Sequence, residues 1–295
     1  MIGNSFRVSA VIPAYNSESF LGTAIESVLG QTYPCFECVV VDDGSTDGTA
    51  DIARPIPEVR YVRQDNAGDA NARNRAIAEA LGDYIAFLDA DDIWMPDKIE
   101  SQLTLFATRP SLGLVYTGVA VVDRDLRPLE ELSPAPGHVA LRNTLVVEKP
   151  YMTGVGSSGM VPVRVARAIG FDERLAASAD WAFAVSIALR HPVDRVDRPL
   201  VLYRQHADSQ VHRNLSAVEH DMQLVWSELF TDGSLHPRLR SLRRRAHANL
   251  YLSLAASYFK RGDHARFLTY LMRALARRPD RVASAFWRRY MDRPR

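Results

Sequence analysis

Three observations predict a mixed α/β fold, in which a mostly parallel β-sheet carries helices on both faces. The first hundred residues alternate short apolar runs with stretches of helical periodicity. Carboxylates stand at the ends of two apolar runs, which is where such a sheet binds its ligand. From Ser216 onward, helical periodicity dominates and arginine is frequent. We therefore expect an α/β domain followed by a helical extension.

The elements of the first hundred residues can be assigned in order. Four apolar runs predict strands: "RVSAVIPAYN", "FECVVVDD", "VRYVRQ" and "YIAFLDADD". Two segments place apolar residues at helical spacing, "SESFLGTAIESVLGQ" and "GDANARNRAIAEALG", and Gly82 is the expected end of the second helix. This alternation brings the ends of three strands to one edge of the sheet, with an aromatic ring and five carboxylates.

The pattern is weaker after Pro96. "LGLVYTGVAVVD" predicts a strand, Arg124 to Pro150 a proline-rich irregular section, and "TGVGSSGMVPVRVARAIG" a glycine-rich turn before a strand and a short helix. "ANLYLSLAASYFKRGDHARFLTYLMRALARRP" predicts a helical hairpin that turns at Gly262 and Asp263. It resembles one tetratricopeptide-like unit, but a single copy does not indicate a repeat array.

Composition and charge limit the class of protein. The 295 residues are 47% hydrophobic and 24% charged, enough for a full core. No apolar stretch reaches the roughly 18 residues of a membrane span, and the N-terminus lacks the pattern of a signal peptide, so we expect a cytoplasmic protein. Residues 238–295 hold 16 Lys and Arg against 3 Asp and Glu, a net charge of +13, which leaves −12 for the rest.

The only cysteines, Cys35 and Cys38, form a C-x-x-C. This spacing is compatible with a redox pair or with half of a zinc site. However, Cys38 lies within a predicted strand and no second C-x-x-C supplies further ligands. A small core residue beside a surface thiol is the favoured interpretation.

Asp42 and Asp43 end an apolar run without an evident structural partner in the sequence. Adjacent carboxylates repel each other unless a cation, hydrogen-bond donors or water compensate, so the pair predicts a ligand. An EF-hand is excluded because Arg54 stands where the loop needs a bidentate glutamate. A phosphatase with an aspartyl nucleophile is excluded because Val41 replaces the first acid of its D-x-D.

The second acidic cluster, "FLDADD", contains Asp89, Asp91 and Asp92 on a short turn. Their hard oxygen atoms suit Mg²⁺ or Mn²⁺. A divalent ion held by few protein carboxylates usually also binds the phosphates of a ligand. The implied partner is a nucleotide diphosphate.

Four ordered blocks, "VSAVIPAYN", "VVVDDGSTDGT", "NAGDANARN" and "GDYIAFLDADD", resemble the nucleotide-sugar-dependent glycosyltransferases of family 2 over roughly residues 7–210. The resemblance implies the GT-A fold, a Rossmann-like, mostly parallel sheet flanked by helices, here with a C-terminal helical extension. It divides the chain into a nucleotide-sugar-binding half (1–110), an acceptor-binding half of the same domain (111–215) and a basic helical extension (216–295).

The resemblance also assigns roles in the donor site. It places Tyr15 against the nucleotide base and lets Asp43 accept a hydrogen bond from that base. Arg73 lies near the diphosphate. The remaining positions are the pocket-lining Pro13 and Ala14, Asp42 in support of Asp43, Asp89 in the ribose or metal shell, and the metal ligands Asp91, Asp92 and His206.

The catalytic base implied by the resemblance is Asp180 in "SADWAFAVSIALR". Similar enzymes have an acidic dipeptide here, and Ala179 replaces its first acid. Asp180 as a helix N-cap ahead of Trp181 remains an alternative. The Q-x-x-R-W element of processive synthases is absent, which favours a single addition.

These assignments predict an inverting, Mn²⁺- or Mg²⁺-dependent transfer of a sugar from a nucleotide-diphosphate donor, with a UDP-type donor favoured. The acceptor would be a hydroxyl of a glycan or lipid-linked saccharide in envelope polysaccharide synthesis. The alternative, kept open by Ala179, is a non-catalytic nucleotide-sugar-binding or scaffolding protein of the same fold. A nucleotidyltransferase is disfavoured because "PAYNSESF" lacks a glycine-rich loop with a basic residue.

The basic tail allows three interpretations. Nucleic acid is disfavoured because no basic groove with interleaved aromatic residues is evident. Solvated helix faces are the plainest explanation. A membrane-surface contact is the third, since Phe286, Trp287 and Tyr290 stand beside Arg288 and Arg289, which would place the protein at the inner face of the membrane. The oligomeric state is left open.

Overall fold

Nine strands form one sheet in the computed structural model, which describes residues 6–152, 154–206, 215–233 and 235–280. The strands are β1 (Val8–Ala14), β2 (Glu37–Asp43), β3 (Val59–Gln64), β4 (Tyr84–Phe87), β5 (Ile93–Trp94), β6 (Leu114–Val122), β7 (Pro128–Leu132), β8 (Met160–Pro162) and β9 (Val193–Arg204). The order of the strands across the sheet is β3-β2-β1-β4-β8-β6-β9-β5. β7 lies outside this order and pairs with residues 119–122 of β6.

The first four strands run parallel, which confirms the predicted arrangement. All seven residues of β1 are buried, as expected for a strand covered on both faces. Val11 of β1 lies opposite Val39 of β2 and Phe87 of β4. β8 is antiparallel to both β4 and β6, and so connects the parallel group to the second half of the sheet. The carboxyl ends of β1, β2 and β4 therefore meet at one edge.

Twelve helices lie among the described residues: α1 (Leu21–Leu29), α2 (Thr49–Ala53), α3 (Asp69–Glu79), α4 (Lys98–Thr108), α5 (Gly137–Leu145), α6 (Val155–Ser158), α7 (Val163–Ile169), α8 (Ala179–Ala188), α9 (Leu215–Thr231), α10 (Pro237–Arg240), α11 (Arg243–Lys260) and α12 (His264–Arg277). They cover both faces of the sheet, as predicted. Along β1, Ile12 packs in the cluster that contains α1, and Val11 packs in the cluster that contains α3. This alternation follows from the two-residue period of a strand.

The C-terminal helices have a core of their own that continues into the main domain. Trp226 of α9 is fully buried in this third cluster, with Leu145 of α5 and Val185 of α8. The predicted hairpin is confirmed by α11 and α12, which turn at Gly262 with a positive φ of 75°. The rings of Tyr258 and Tyr270 stack across the hairpin at 5.3 Å. The division of the chain at residues 110 and 215, into two halves of one domain and a helical extension, stays a prediction.

Two local predictions are wrong. Residues 124–150 are not irregular, because they contain β7 and α5. β7 lies at an edge and is mostly exposed, so its sequence shows no apolar alternation. α3, the second helix assigned from the sequence, ends at Glu79 and not at Gly82, because the backbone of Ala80 is already extended. Gly82 serves a different purpose, since a Cβ there would lie 2.7 Å from the carbonyl oxygen of Arg7.

The two cysteines are free, and Cys38 is buried in β2. Burial raises the pKa of each thiol to about 12, so both are protonated near neutral pH. Among the helices of the described residues, none combines the length and apolar character that crossing a membrane requires.

Lys98, at the start of α4, is fully buried beneath the sheet. Its ammonium group donates a hydrogen bond to Gln102 Oε1 at 2.9 Å and lies 4.1 Å from the centre of the Trp94 ring. Burial lowers the pKa of Lys98 to about 7, although the neighbouring Cys35 opposes this shift. An unfolded lysine binds its proton up to about pH 10.4. Between these two values the unfolded chain binds more protons than the folded one.

Lys98 should therefore make the free energy of unfolding rise with pH between about 7 and 10, since stability rises wherever the unfolded state binds more protons. Lys98→Met should remove this rise. The measurement is chemical denaturation of both proteins from pH 6 to 10. Parallel pH curves for the two proteins would show that Lys98 stays charged in the fold.

Candidate functional site

A cleft of about 950 Å³ opens at the carboxyl edge of the parallel strands. Its lining brings together nine of the eleven residues that the sequence predicts for the site: Pro13, Ala14, Tyr15, Asp43, Arg73, Asp89, Asp91, Asp180 and His206. Asp42 and Asp92 are not part of this lining. Tyr15 is about half exposed at the rim.

The loops that follow β1 and β2 are tied to each other. Asn16 Oδ1 accepts a hydrogen bond from the Thr46 N–H at 2.9 Å, and the Ser45 hydroxyl accepts one from the Asn16 N–H at 3.0 Å. Asp47 Oδ2 accepts a hydrogen bond from the Glu18 N–H at 3.1 Å. Asn16 has a positive φ of 49°, which asparagine tolerates better than most residues. The "DDGSTDGT" loop thus holds the loop that carries Tyr15.

Asp42 has structural partners, contrary to the expectation from the sequence. The carboxylate is fully buried and accepts hydrogen bonds from the Ser45 N–H, the Tyr61 hydroxyl and the Arg63 guanidinium. Burial alone would raise the pKa of Asp42, but these partners outweigh it and lower the pKa. Asp42 is therefore a charged residue held in place behind the cleft. This position is compatible with the expected role of Asp42 in support of Asp43.

Asp43 is the acid of the pair that faces the cleft. Oδ1 accepts hydrogen bonds from Gln64 Nε2 at 2.7 Å and the Ala67 N–H at 2.9 Å, and Oδ2 accepts one from the Gly68 N–H at 2.8 Å. An ionised carboxylate has about four acceptor positions. Three are used within the protein, so about one remains for a ligand donor.

Arg73 is buried on α3 and held by two carboxylates. It forms ion pairs with Asp69, one turn earlier, and with Asp89 Oδ1 at 2.5 Å, and its guanidinium lies 5.4 Å from the Phe171 ring. Gly156 allows this arrangement, because a Cβ there would lie 3.0 Å from both Arg73 Nη2 and Asp89 Oδ2. The charge of Arg73 is thus balanced without any ligand.

Asp91 and His206 both line the cleft and are in hydrogen-bond contact, with 2.9 Å between Asp91 Oδ2 and His206 Nε2. Burial and the charge of Asp89 raise the pKa of Asp91, and His206 offsets this only in part. Excess negative charge therefore remains at this point. Among the residues that the structure describes, no three His, Cys, Asp or Glu side chains are arranged to hold a metal ion by themselves.

Asp92 does not fit the predicted role of a metal ligand. It is buried, and its oxygens accept hydrogen bonds from the Ser157 hydroxyl at 2.5 Å and the Arg204 N–H at 2.9 Å. Ser157 also accepts a hydrogen bond from the Asp89 N–H at 3.1 Å, and Arg204 Nε donates to the Asp91 carbonyl at 3.0 Å. Asp92 therefore holds the acidic turn in position. Sequence reasoning missed Ser157, and no local pattern marks it.

Asp180 lies in the first turn of α8 and lines the cleft. Oδ1 accepts a hydrogen bond from the Trp181 N–H at 2.7 Å, while Ser178 is the N-cap residue. Burial raises the pKa of Asp180, and the charge of Asp89 adds to this, although Arg73 and backbone N–H groups oppose it. A carboxylate with a raised pKa is a better proton acceptor.

The far wall of the cleft was not predicted at the level of residues. It includes Tyr151, Tyr203 and the exposed ion pair of Lys149 with Glu130, at 2.8 Å. Arg124 also lines the cleft, and its guanidinium lies 5.5 Å from the Phe20 ring. Within the described part of the chain, no carboxylate lies within 4 Å of the Arg124 guanidinium.

Comparison with known sequences gives a family. The family described as "Glycosyl transferase family 2" matches residues 9–160. The "Putative teichuronic acid biosynthesis glycosyltransferase TuaG" of Bacillus subtilis (strain 168) is 38% identical over 148 residues, which are 47% of this chain and 58% of the relative. Chondroitin synthase of Escherichia coli is 40% identical over 122 residues, 40% of this chain and 18% of the relative. The chain thus covers less than two thirds of either relative.

Solved structures share the fold at low sequence identity. S. aureus TarS 1-349 in complex with UDP-GlcNAc has a TM-score of 0.69 and 18% identity, over 94% of this chain and 83% of that chain. The mannosyltransferase PcManGT from Pyrobaculum calidifontis, in complex with GDP-Man and Mn2+, has a TM-score of 0.62 and 21% identity, over 97% and 82%. These likenesses and the family match over more than half of the sequence agree with the four motif blocks: the chain belongs to glycosyl transferase family 2 and has a fold similar to that of GT-A glycosyltransferases.

Proposed function

We propose that this protein is an inverting glycosyltransferase that moves a sugar from a nucleotide-diphosphate donor to a hydroxyl acceptor. One observation carries the proposal: a single cleft joins an aromatic rim, an acid with one acceptor position left, an acidic turn and a carboxylate with a raised pKa. Family membership and the relatives named for teichuronic acid biosynthesis and chondroitin synthesis support a saccharide acceptor, and a lipid-linked saccharide is part of the proposal. The finer assignments below belong to the proposal.

The donor would lie along the edge formed by β1, β2 and β4. The base would lie against Tyr15 and donate an N–H to Asp43, which favours a base with such a donor, as in a UDP-type sugar. Pro13 and Ala14 would form the floor of this pocket. Asp89 faces the same cleft beside Arg73 and would contact the ribose.

The displacement needs a proton acceptor on the side of the acceptor. Asp180 would take the proton of the attacking hydroxyl as the new bond to the anomeric carbon forms. The bond from that carbon to the diphosphate oxygen breaks, and the diphosphate leaves with the electron pair. A single displacement inverts the anomeric centre.

The acidic turn has the donor set for a divalent cation. Asp91 supplies hard oxygen atoms and His206 an imidazole nitrogen, and the raised pKa of Asp91 indicates negative charge that a cation would relieve. Two protein ligands suffice where the ligand's own phosphates complete the shell. Mn²⁺ or Mg²⁺, when bound, would offset the charge of the diphosphate. Asp92 would act on this site only by positioning the turn.

Arg124 is the side chain best placed to add positive charge from the protein. Arg73 is already balanced by Asp69 and Asp89, and Lys149 by Glu130. We therefore assign Arg124, rather than Arg73, to the phosphates of the donor.

The first prediction about the proposed reaction concerns its catalytic base, Asp180. Asp180→Asn should keep nucleotide-diphosphate affinity and lose about 10²–10⁴-fold in transfer rate, the usual range for a general base. We would screen nucleotide sugars for binding by thermal stabilisation, and then for hydrolysis and transfer. Binding without turnover in the unmodified protein would favour the non-catalytic alternative. Weaker donor binding by the variant with an unchanged rate would move Asp180 to the donor site.

The second prediction concerns the divalent cation. Mn²⁺ should strengthen binding of UDP, but not of uridine, because uridine has no phosphates to share with the ion. Asp91→Asn should lose most of this Mn²⁺ effect, about tenfold or more in UDP affinity. The matched control is Asp125→Asn, an exposed acid outside the cleft lining. Full transfer activity in EDTA would contradict the metal assignment.

The third prediction separates Arg124 from a neighbouring arginine. Arg124→Ala should weaken UDP binding by about tenfold or more and leave uridine binding unchanged, since a charged hydrogen bond to phosphate contributes about 1.5–3 kcal/mol. Arg127→Ala is the control, because Arg127 pairs with Asp125 and lies outside the cleft lining. Calorimetry on all three proteins gives the affinities. If the Arg124 and Arg127 variants bind UDP with equal affinity, the contact with the donor phosphates belongs to Arg73 and not to Arg124.

A further inference from the structure

The α11–α12 hairpin carries exposed apolar side chains that its own core does not use. Phe259 of α11 and Leu268 and Met272 of α12 are 49%, 56% and 62% exposed. Leu268 and Met272 are four residues apart, so they lie on one face of α12. Their exposed neighbours on that face are His264, Ala265, Thr269 and Ala276, and none of these is a lysine, an arginine or an acid.

The Phe259 ring joins this stripe at the turn of the hairpin. Its ring centre lies 5.2 Å from that of Phe267 and 5.9 Å from that of His264, at the start of α12. The apolar surface therefore extends from the end of α11 along the outer face of α12. We define the hairpin stripe as Phe259, Leu268 and Met272.

Basic residues border the hairpin stripe. Lys260 and Arg261 follow Phe259 directly, are exposed, and have no carboxylate within 4 Å among the described residues. Arg266 and Arg273 lie along the side of α12, where Arg266 pairs with Asp263 and Arg273 with Glu219. Residues 238–280 hold eleven Lys and Arg against two Asp and Glu, a net charge of +9. The stripe thus lies beside two cations that have no carboxylate partner in the described part of the chain, on a segment of net positive charge.

We infer that the hairpin stripe docks on a membrane surface that contains anionic lipids. Exposed apolar side chains next to Lys and Arg match the boundary between acyl chains and anionic headgroups. A second copy of this face is a poor partner, because two identical cationic rims would repel each other. The aromatic and basic residues 286–290, on which the sequence suggested such a contact, lie outside the described residues. This inference needs no step of the proposed reaction.

The test uses the full chain and two matched pairs of substitutions in vesicle co-sedimentation. Leu268→Gln with Met272→Gln removes the apolar part of the stripe. The control is Leu81→Gln with Leu129→Gln, which changes two equally exposed leucines, 60% and 57%, on the α/β domain. Vesicles contain either phosphatidylcholine alone or phosphatidylcholine with phosphatidylglycerol, at low and high salt.

We expect salt-sensitive binding to the anionic vesicles only. The stripe variant should bind about tenfold more weakly or worse, and the control should bind like the unmodified protein. Lys260→Gln with Arg261→Gln should weaken binding by about fivefold for each charge removed. The control for charge is Arg75→Gln with Arg127→Gln, which removes two exposed arginines that pair locally.

Three results would overturn the inference. The first is the absence of binding to anionic vesicles at low salt by a protein that light scattering shows to be monomeric. The second is equal binding by the stripe variant and the unmodified protein, and the third is self-association through the stripe. If the unmodified protein self-associates and the stripe variant does not, the stripe is a contact between copies and the lipid assignment is wrong. Nucleotide binding, measured separately, reports on the proposed reaction alone.

Discussion

The site depends on how the fold keeps negative charge at the carboxyl edge of its parallel strands. Asp42, Asp43, Asp89, Asp91 and Asp92 are held close to this edge, and carboxylates so placed repel one another. Three of them are stabilised in different ways. Asp42 has a hydroxyl and a guanidinium, Asp43 has an amide and two backbone N–H groups, and Asp89 has Arg73. The strand ends can therefore present acids without losing the sheet.

The negative charges of these aspartates are not all offset to the same extent, and this difference separates their roles. Asp42 and Asp92 are buried outside the cleft lining, and each of their oxygens accepts at least one hydrogen bond within the protein. Asp43 keeps about one acceptor position, and burial with the charge of Asp89 keeps the pKa of Asp91 raised although His206 and a backbone N–H oppose it. A ligand that brings an N–H to the first and a cation to the second would complete what the protein leaves incomplete. Arg73 already forms ion pairs with Asp69 and Asp89 within the protein.

The sequence predicted the features that local patterns encode. Periodicity predicted the first four strands, the helices α1 and α3 between them, and the hairpin of α11 and α12. The ends of the strands located Tyr15, Asp43 and the acidic turn, whereas Arg73, Asp180 and His206 were named only through the resemblance to the family. β7 could not be predicted, because an exposed edge strand such as "PLEEL" has no apolar alternation. The different fates of Asp91 and Asp92 also could not be predicted, since they depend on Ser157 and Arg204, which are distant in the sequence.

Those long-range partners have a consequence for the order of folding. The hydrogen bonds of Asp92 close chain loops of 65 and 112 residues, to Ser157 and Arg204. Closing each loop costs chain entropy, and this cost grows only slowly with loop length. The acidic turn has both partners of Asp92 only when β9, which carries Arg204, has docked on β5 and β6. During synthesis, the motifs of the first hundred residues would emerge from the ribosome well before the site they belong to exists.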